Sequence, residues 1–222
     1  MKYGIFGKTQ LSDILISDLL SQYTTPSIVP KPEIRILADP GFTSPGVFEY
    51  TPSNLEPVNF LYLPIGYRVQ DLKRHKYIQA KEWGMVTPSH VSNKAIIVSN
   101  TCTISEASWI MAGAIVGVNS KIGTGVTVWT GCNLAHDVTV SDFTWISPGA
   151  ILLGNSTVGE DCFIGAGSII GEGVTIGSGS FIAAGAIITK DIPDNSVVLE
   201  GRNNLTSKNS ASAVKFMRSK LK

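Results

Sequence analysis

The feature that most constrains this chain is a period of six. From Val98, an aliphatic residue recurs every sixth position sixteen times in succession, through Ile104, Ile110, Val116, Ile122, Val128 and Leu134 to Ile188. Four residues after each comes a small or β-branched one, Cys102, Ser108, Ala114, Ser120 and so on to Ala186, with Ile192 the exception. An unbroken run of this length means one structural unit stacked many times. In extended backbone, residues two apart point to the same side, so the small residue and the aliphatic residue that follows it both face inward.

This pattern resembles the hexapeptide repeat of the left-handed β-helix family, in which three hexads close one 18-residue coil. The left hand is what the resemblance implies, because general rules for parallel crossovers favour the right. Coils stack at about 4.8 Å, so residues 18 apart lie above one another. One outer face then carries Trp109, Met111, Trp129, Trp145, Phe163 and Phe181, and a second carries Ile115, Ile151, Leu153, Ile169 and Ile187. The third shows Thr103, Ser105, Lys121, Thr139, Ser141, Thr157 and Thr175 and suits water. Two apolar outer faces are more exposed surface than a monomer tolerates. A homotrimer is expected, as in the resembled family.

Before residue 85 the chain has a different character, holding eight of the eleven prolines. Strands over Tyr3–Phe6, Ile34–Ala38 and Asn59–Ile65 alternate with helices over Leu11–Tyr23 and Val69–Trp83, the pattern of a small Rossmann-like α/β unit with a parallel sheet. The expected organisation is an α/β domain over 1–84, the β-helix over 85–200 and a basic tail over 201–222 with a short helix from Ala211 to Leu221.

A net charge of +1 with 16% charged residues leaves no field to attract nucleic acid or an anionic membrane. No window reaches the run of about 18 apolar residues of a membrane span, and the first residues lack a signal-peptide pattern. A cytoplasmic location is expected. Cys102, Cys132 and Cys162 all fall on the small inward position, where they read as buried and inert rather than nucleophilic.

Of the three histidines, His75, His90 and His136, only the last lies within the unbroken repeat, two residues after inward Leu134 and so at a coil corner. Spacing alone leaves it either a surface residue or a site. The segment Leu134-Ala135-His136-Asp137-Val138-Thr139-Val140-Ser141-Asp142-Phe143, with Ile146-Ser147-Pro148-Gly149-Ala150 and Leu153-Gly154, resembles the sugar acetyltransferases related to the bacillosamine and sialic-acid pathway enzymes. The resemblance implies that His136 is the general base and that Asp137 raises its basicity. An ordinary imidazole titrates near pH 6.5 and suits proton removal from an attacking amine. Gly154, 18 residues on, is the candidate oxyanion donor through its backbone N–H. It reads equally as a glycine that permits a tight corner.

The same resemblance implies acyl-CoA as co-substrate with no bound metal, its chain running past Ala166 and Ala184 toward Lys190. Lys190 is otherwise an ordinary surface charge. Trp145 stands where relatives place a second histidine on the acetyl group, so either the acyl pocket differs, admitting a chain such as 3-hydroxybutyryl, or Trp145 packs an interface. For a dTDP- or UDP-linked amino sugar as acceptor, the implied contacts are Gly7, Lys8 and Thr9 after the first strand, Asp39 and Gly66. Asp39-Pro40-Gly41 reads equally as a turn. The family's Gly-rich loop is here replaced in part by Lys-Thr-Gln.

Three other readings bear on these residues. A γ-type carbonic anhydrase needs three histidine ligands, which one histidine inside the repeat does not supply. A sugar O-acyltransferase would use the same base and donor groove. A non-catalytic β-helix binding module would not need His136.

Overall fold

The computed structural model describes residues 2–7, 10–21, 33–38, 47–55, 58–65, 70–199 and 205–207. The chain forms two compact units, Met1–Ser89 and His90–Lys222.

In the first unit, strands β1 (Lys2–Phe6), β2 (Glu33–Ala38), β3 (Val47–Glu49) and β4 (Phe60–Tyr62) form a parallel sheet in the order β3-β2-β1-β4. Helices α1 (Gln10–Ser21), α2 (Pro52–Leu55) and α3 (Gln70–Glu82) lie between or after them. Central β1 is buried along almost its whole length, as a parallel strand covered on both faces should be. A Cβ on Gly4 would meet Leu37 and Val58 methyls at 3.0 Å, which explains the glycine. Strand β3 and helix α2 fall in a stretch that reads as loop, being too short for periodicity to register. The expected strand to Ile65 stops at Tyr62 because the Ile65 N–H turns back to Leu63 O at 2.8 Å. The expected C-terminal helix lies outside the described residues.

Helix α3 is polar in composition yet buries two lysines. The Lys76 ammonium sits over the rings of Phe6 and Tyr50, at 5.1 and 4.7 Å from their centroids, a cation–π arrangement. Lys73 is 1% exposed, and burial pulls its pKa down to about 7.

The second unit is a parallel β-solenoid. Its three sheets hold five, six and eight strands. From Thr103 to Ile188 every strand is two residues long and pairs with the strand 18 residues away, as in Ile122 with Val140, Val128 with Ile146 and Leu134 with Leu152. The inward aliphatics from Ile110 to Ile188 form one continuous buried column. The small inward position has a second job, visible in its hydrogen bonds. Ser108 Oγ donates to Gly123 O at 2.6 Å, Ser120 Oγ to Ala135 O at 2.9 Å and Thr144 Oγ1 to Gly159 O at 2.7 Å. Cys102, Cys132 and Cys162 make the same contact to Gly117, Ser147 and Gly177. A corner carbonyl that faces inward is satisfied each time, which a purely apolar small residue would not achieve.

Two irregularities bound the run. Val98 is 52% exposed and is not an inward residue. Ile97 pairs with Val116, and Val91 with Ile110, both 19 residues apart. The first coil therefore begins at His90 and carries one extra residue between Ile97 and Ile104, and the six-residue count reaches Val98 only by stepping across it. At the other end Ile192 pairs with Ile176 and Val198 with Ile182, both 16 apart. Ile192 is thus the next aliphatic after a corner two residues short, and not a failed small position.

The aromatic face also differs from expectation. Trp109, Met111, Trp145 and Phe181 are buried within the single chain, so this face does not need a sister subunit to cover it. The six-stranded face stays open, with Ile96, Leu153 and Ile187 exposed.

Two stability predictions follow from these interiors. Thr144→Val keeps shape but strips a carbonyl and the Cys162 N–H (3.0 Å to Thr144 Oγ1) of their partner; chemical denaturation should show a loss of about 1–3 kcal/mol. For pH, Lys73 binds a proton more readily unfolded than folded, so stability should rise from pH 7 to about 8.5. Burial pushes Cys132 up to about 11 and Cys162 up to about 12, so their folded thiols keep protons that unfolded ones lose, and stability should fall above about pH 9. Melting curves of Lys73→Met should lack the rise and keep the fall.

Candidate active site

Leu134 points into the core, and the chain turns a corner over Ala135, His136 and Asp137 before Val138 points inward again. The corner is sharp enough that Asp137 takes a left-handed conformation, φ +58°, with its N–H bonded to Val118 O at 2.8 Å. Asn119 and Asn155, one coil to either side, have φ +60° and +59°. Asn and Asp tolerate this region better than other non-glycine residues.

Held in this way, His136 projects outward with its side chain 56% exposed. Its Nδ1 lies 2.9 Å from Asp137 Oδ2. An ionised carboxylate only accepts, so Nδ1 carries the hydrogen and Nε2 has the free lone pair. The bonds from His136 and then Asn119 hold the Asp137 carboxyl below the usual carboxylate range, so the acceptor stays ionised.

Gly154 lies over the ring. A Cβ there would come within 2.5 Å of His136 Cε1 and Nε2, so the basic nitrogen is the edge packed on the glycine. The neighbouring N–H groups are engaged, Leu153 with Ile170 O and Asn155 with His136 O. The Gly154 N–H has no hydrogen-bond partner among the described residues, and Gly154 itself lies against the Cε1–Nε2 edge of His136. His136, Asp137 and Gly154 are therefore gathered as the sequence reading expects.

Other expected positions are dispersed. Lys190 is exposed on the same corner as His136, three coils along, since residue 188 stacks on 170 and 152. Ala166 and Ala184 stack on the corner that follows the eight-stranded sheet. Both are exposed, and neither N–H is hydrogen-bonded among the described residues. Within one chain they line a different edge of the prism from His136. Trp145 is only 8% exposed and packs on Trp129 with ring centroids 5.6 Å apart. Gly7 ends β1 with φ +88° and its N–H on Leu37 O at 2.7 Å. Lys8, Thr9, Asp39 and Gly66 lie outside the described residues.

Sequence reasoning passed over Asn119, whose signal was its place 18 residues before Asp137. It also passed over Trp129, whose indole N–H is buried without a partner among the described residues.

The repeat matches the family described as bacterial transferase hexapeptide (six repeats) over residues 137–172 and 155–190. No curated protein matches the chain. Among solved structures it is similar to the acetyltransferase domain of PglB from Neisseria gonorrhoeae FA1090, with 27% identity, 93% of this chain and 99% of that one covered and a TM-score of 0.78. That domain is also known in complex with acetyl coenzyme A. PerB from Caulobacter crescentus, in complex with CoA and GDP-perosamine, shares the fold at 23% identity, covering 94% of this chain and 98% of that one with a TM-score of 0.80. WeeI from Acinetobacter baumannii AYE shares it at 21% identity, with 93% and 99% covered and a TM-score of 0.79. Residues 137–190 therefore carry the bacterial transferase hexapeptide repeat, within a parallel β-solenoid. More particularly, the chain is an enzyme, an acyltransferase, that shares its fold with the acetyltransferase domain of PglB.

Gly154→Ala tests the packing over the His136 imidazole. The added methyl must push the imidazole aside, and a misplacement of this size costs about 10²-fold in kcat. Because the displaced group is an exposed side chain, the melting temperature should hardly change; a drop in both would show that Gly154 serves only the corner.

Proposed function

We propose that the protein transfers an acyl group from acyl-CoA to the amino group of a nucleotide-linked amino sugar, with His136 as general base. The observation that carries this is the His136 imidazole, turned by Asp137 so that Nε2 rests on Gly154, beside an unengaged backbone N–H. The amine nitrogen attacks the thioester carbonyl and gives its proton to Nε2. The oxygen gains negative charge and is met by the Gly154 N–H. As the C–S bond breaks, CoA leaves as a thiolate that takes the proton from the imidazolium, and the amide remains.

The donor fits because the free N–H groups of Ala166 and Ala184 offer backbone contacts along one edge, with Lys190 for a CoA phosphate on the other. Those edges belong to one site if two copies of the chain meet, which supports a homotrimer whose contact includes the open six-stranded face. A left-handed winding goes with this reading. The acyl group on this reading is acetyl or a short hydroxyacyl such as 3-hydroxybutyryl, with Trp145 either shaping its pocket or serving only as packing. The acceptor is a dTDP- or UDP-linked sugar, held by the first unit through Gly7, Lys8, Thr9, Asp39 and Gly66. Among the described residues no helix is long and apolar enough to cross a membrane, and free thiols at all three cysteines accord with a cytoplasmic location.

Direct transfer is favoured over an acyl-enzyme, since buried Cys132 and Cys162 are held in the protonated state. Measuring CoA release across acyl-CoAs with amino- and hydroxy-sugar nucleotides tests the proposal. Turnover should occur with an amino acceptor and fall about 10²- to 10⁴-fold in His136→Asn. Turnover only with hydroxyl acceptors would make the enzyme an O-acyltransferase. Full activity in His136→Asn would remove the base, and no turnover with any pair would favour a binding module.

A further inference from the structure

The carboxylate that faces His136 is itself held from behind. Asn119 occupies the same corner one coil earlier, and its Nδ2 donates to Asp137 Oδ1 at 3.1 Å. The other oxygen, Oδ2, is left to His136 Nδ1 at 2.9 Å. Asn119 is fixed in turn, its backbone N–H donating to Thr101 Oγ1 at 3.1 Å, and the Thr101 hydroxyl donating to Ser99 Oγ at 3.0 Å. The column thus runs from Ser99 through Thr101, Asn119 and Asp137 to His136, and it starts in the corner that carries the extra residue.

The needs of the fold do not account for the amide. Asn119, Asp137 and His136 are exposed, and exposed polar contacts of this kind add little to stability. The left-handed corner asks only for a residue that tolerates positive φ, and glycine meets that demand at Gly113, Gly131 and Gly149 elsewhere in the solenoid. What asparagine adds is a donor aimed at one oxygen of Asp137. Without it the carboxylate would be free to turn about its last torsion, which is broad for this side chain.

We propose that Asn119 is a positioning residue for acyl transfer: it fixes the Asp137 carboxylate so that Oδ2 meets the Nδ1–H of His136 and Nε2 remains the basic nitrogen beside Gly154. The proposal rests on the reading of His136 as base. Asn119 itself touches neither reactant.

Asn119→Gly and Asn119→Asp both accept the corner's backbone; the first deletes the amide, and the second replaces the donor with a repelling carboxylate. Nitrogen-15 spectra of the histidine side chains, recorded on the free protein, read the His136 tautomer directly. In both variants the Nδ1–H form should give way to a mixture, and kcat with acetyl-CoA should fall about tenfold, part of the gain a well-placed base provides. The KM for acetyl-CoA should stay within about twofold, because no donor contact is removed. An unchanged tautomer overturns the proposal whatever the rate does, and so does an undiminished kcat. His136→Ala is measured beside them. Full activity in that variant would mean that the base reading itself is wrong, whereas its inactivity alongside normal turnover in the Asn119 variants would sink the positioning role alone.

Discussion

Hydrogen bonds between successive coils fix the position of every solenoid group discussed above. Gly117 N reaches Leu134 O, Ala135 N reaches Leu152 O and Asn155 N reaches His136 O. Once these ladders close, each residue's neighbours above and below are decided by counting to 18. The aliphatic column, the carbonyls met by Ser108, Ser120 and Thr144, and the contact of Gly154 with His136 all follow from one register. A residue at a corner therefore inherits a partner that no local sequence rule would assign.

That register explains what was readable beforehand. The six-residue period gives both the solenoid and the meeting of residue 136 with residue 154, because identical coils turn sequence distance into spatial contact. It fails where a coil changes length. Val98 extends the count backward by coincidence, since the residue that faces inward there is Ile97, and nothing in a period announces a single extra residue. Burial of Trp145 and Phe181 within one chain was equally out of reach, because periodicity tells which side a residue faces and not what lies against it. In the first unit, the polar composition of α3 conceals the burial of Lys73 and of Lys76, whose ammonium sits over the rings of Phe6 and Tyr50, distant in sequence.

The site is assembled with little burial. The side chains of His136 and Asp137 are 56% and 44% exposed in the single chain. Orientation is what the fold supplies: a left-handed corner aims His136 outward, a carboxylate on the next residue selects its tautomer, and a glycine one coil away leaves room for its basic edge. Each depends on backbone geometry more than on a hydrophobic pocket. In the proposed trimer, exclusion of water falls to the neighbouring subunit.

The two length irregularities have a consequence for how such a chain tolerates change. One lies between Ile97 and Ile104, the other between Ile188 and Ile192, and the coils from Asn119 to Gly154 contain neither. A residue gained in the corner that carries His136 and Asp137 would part Gly154 from His136 or Asp137 from Asn119 while leaving each coil able to close, as the corner between Ile97 and Ile104 does. A whole coil added above Gly154 would part nothing. The solenoid is thus free to lengthen at its ends, but its central frame is held to whole turns.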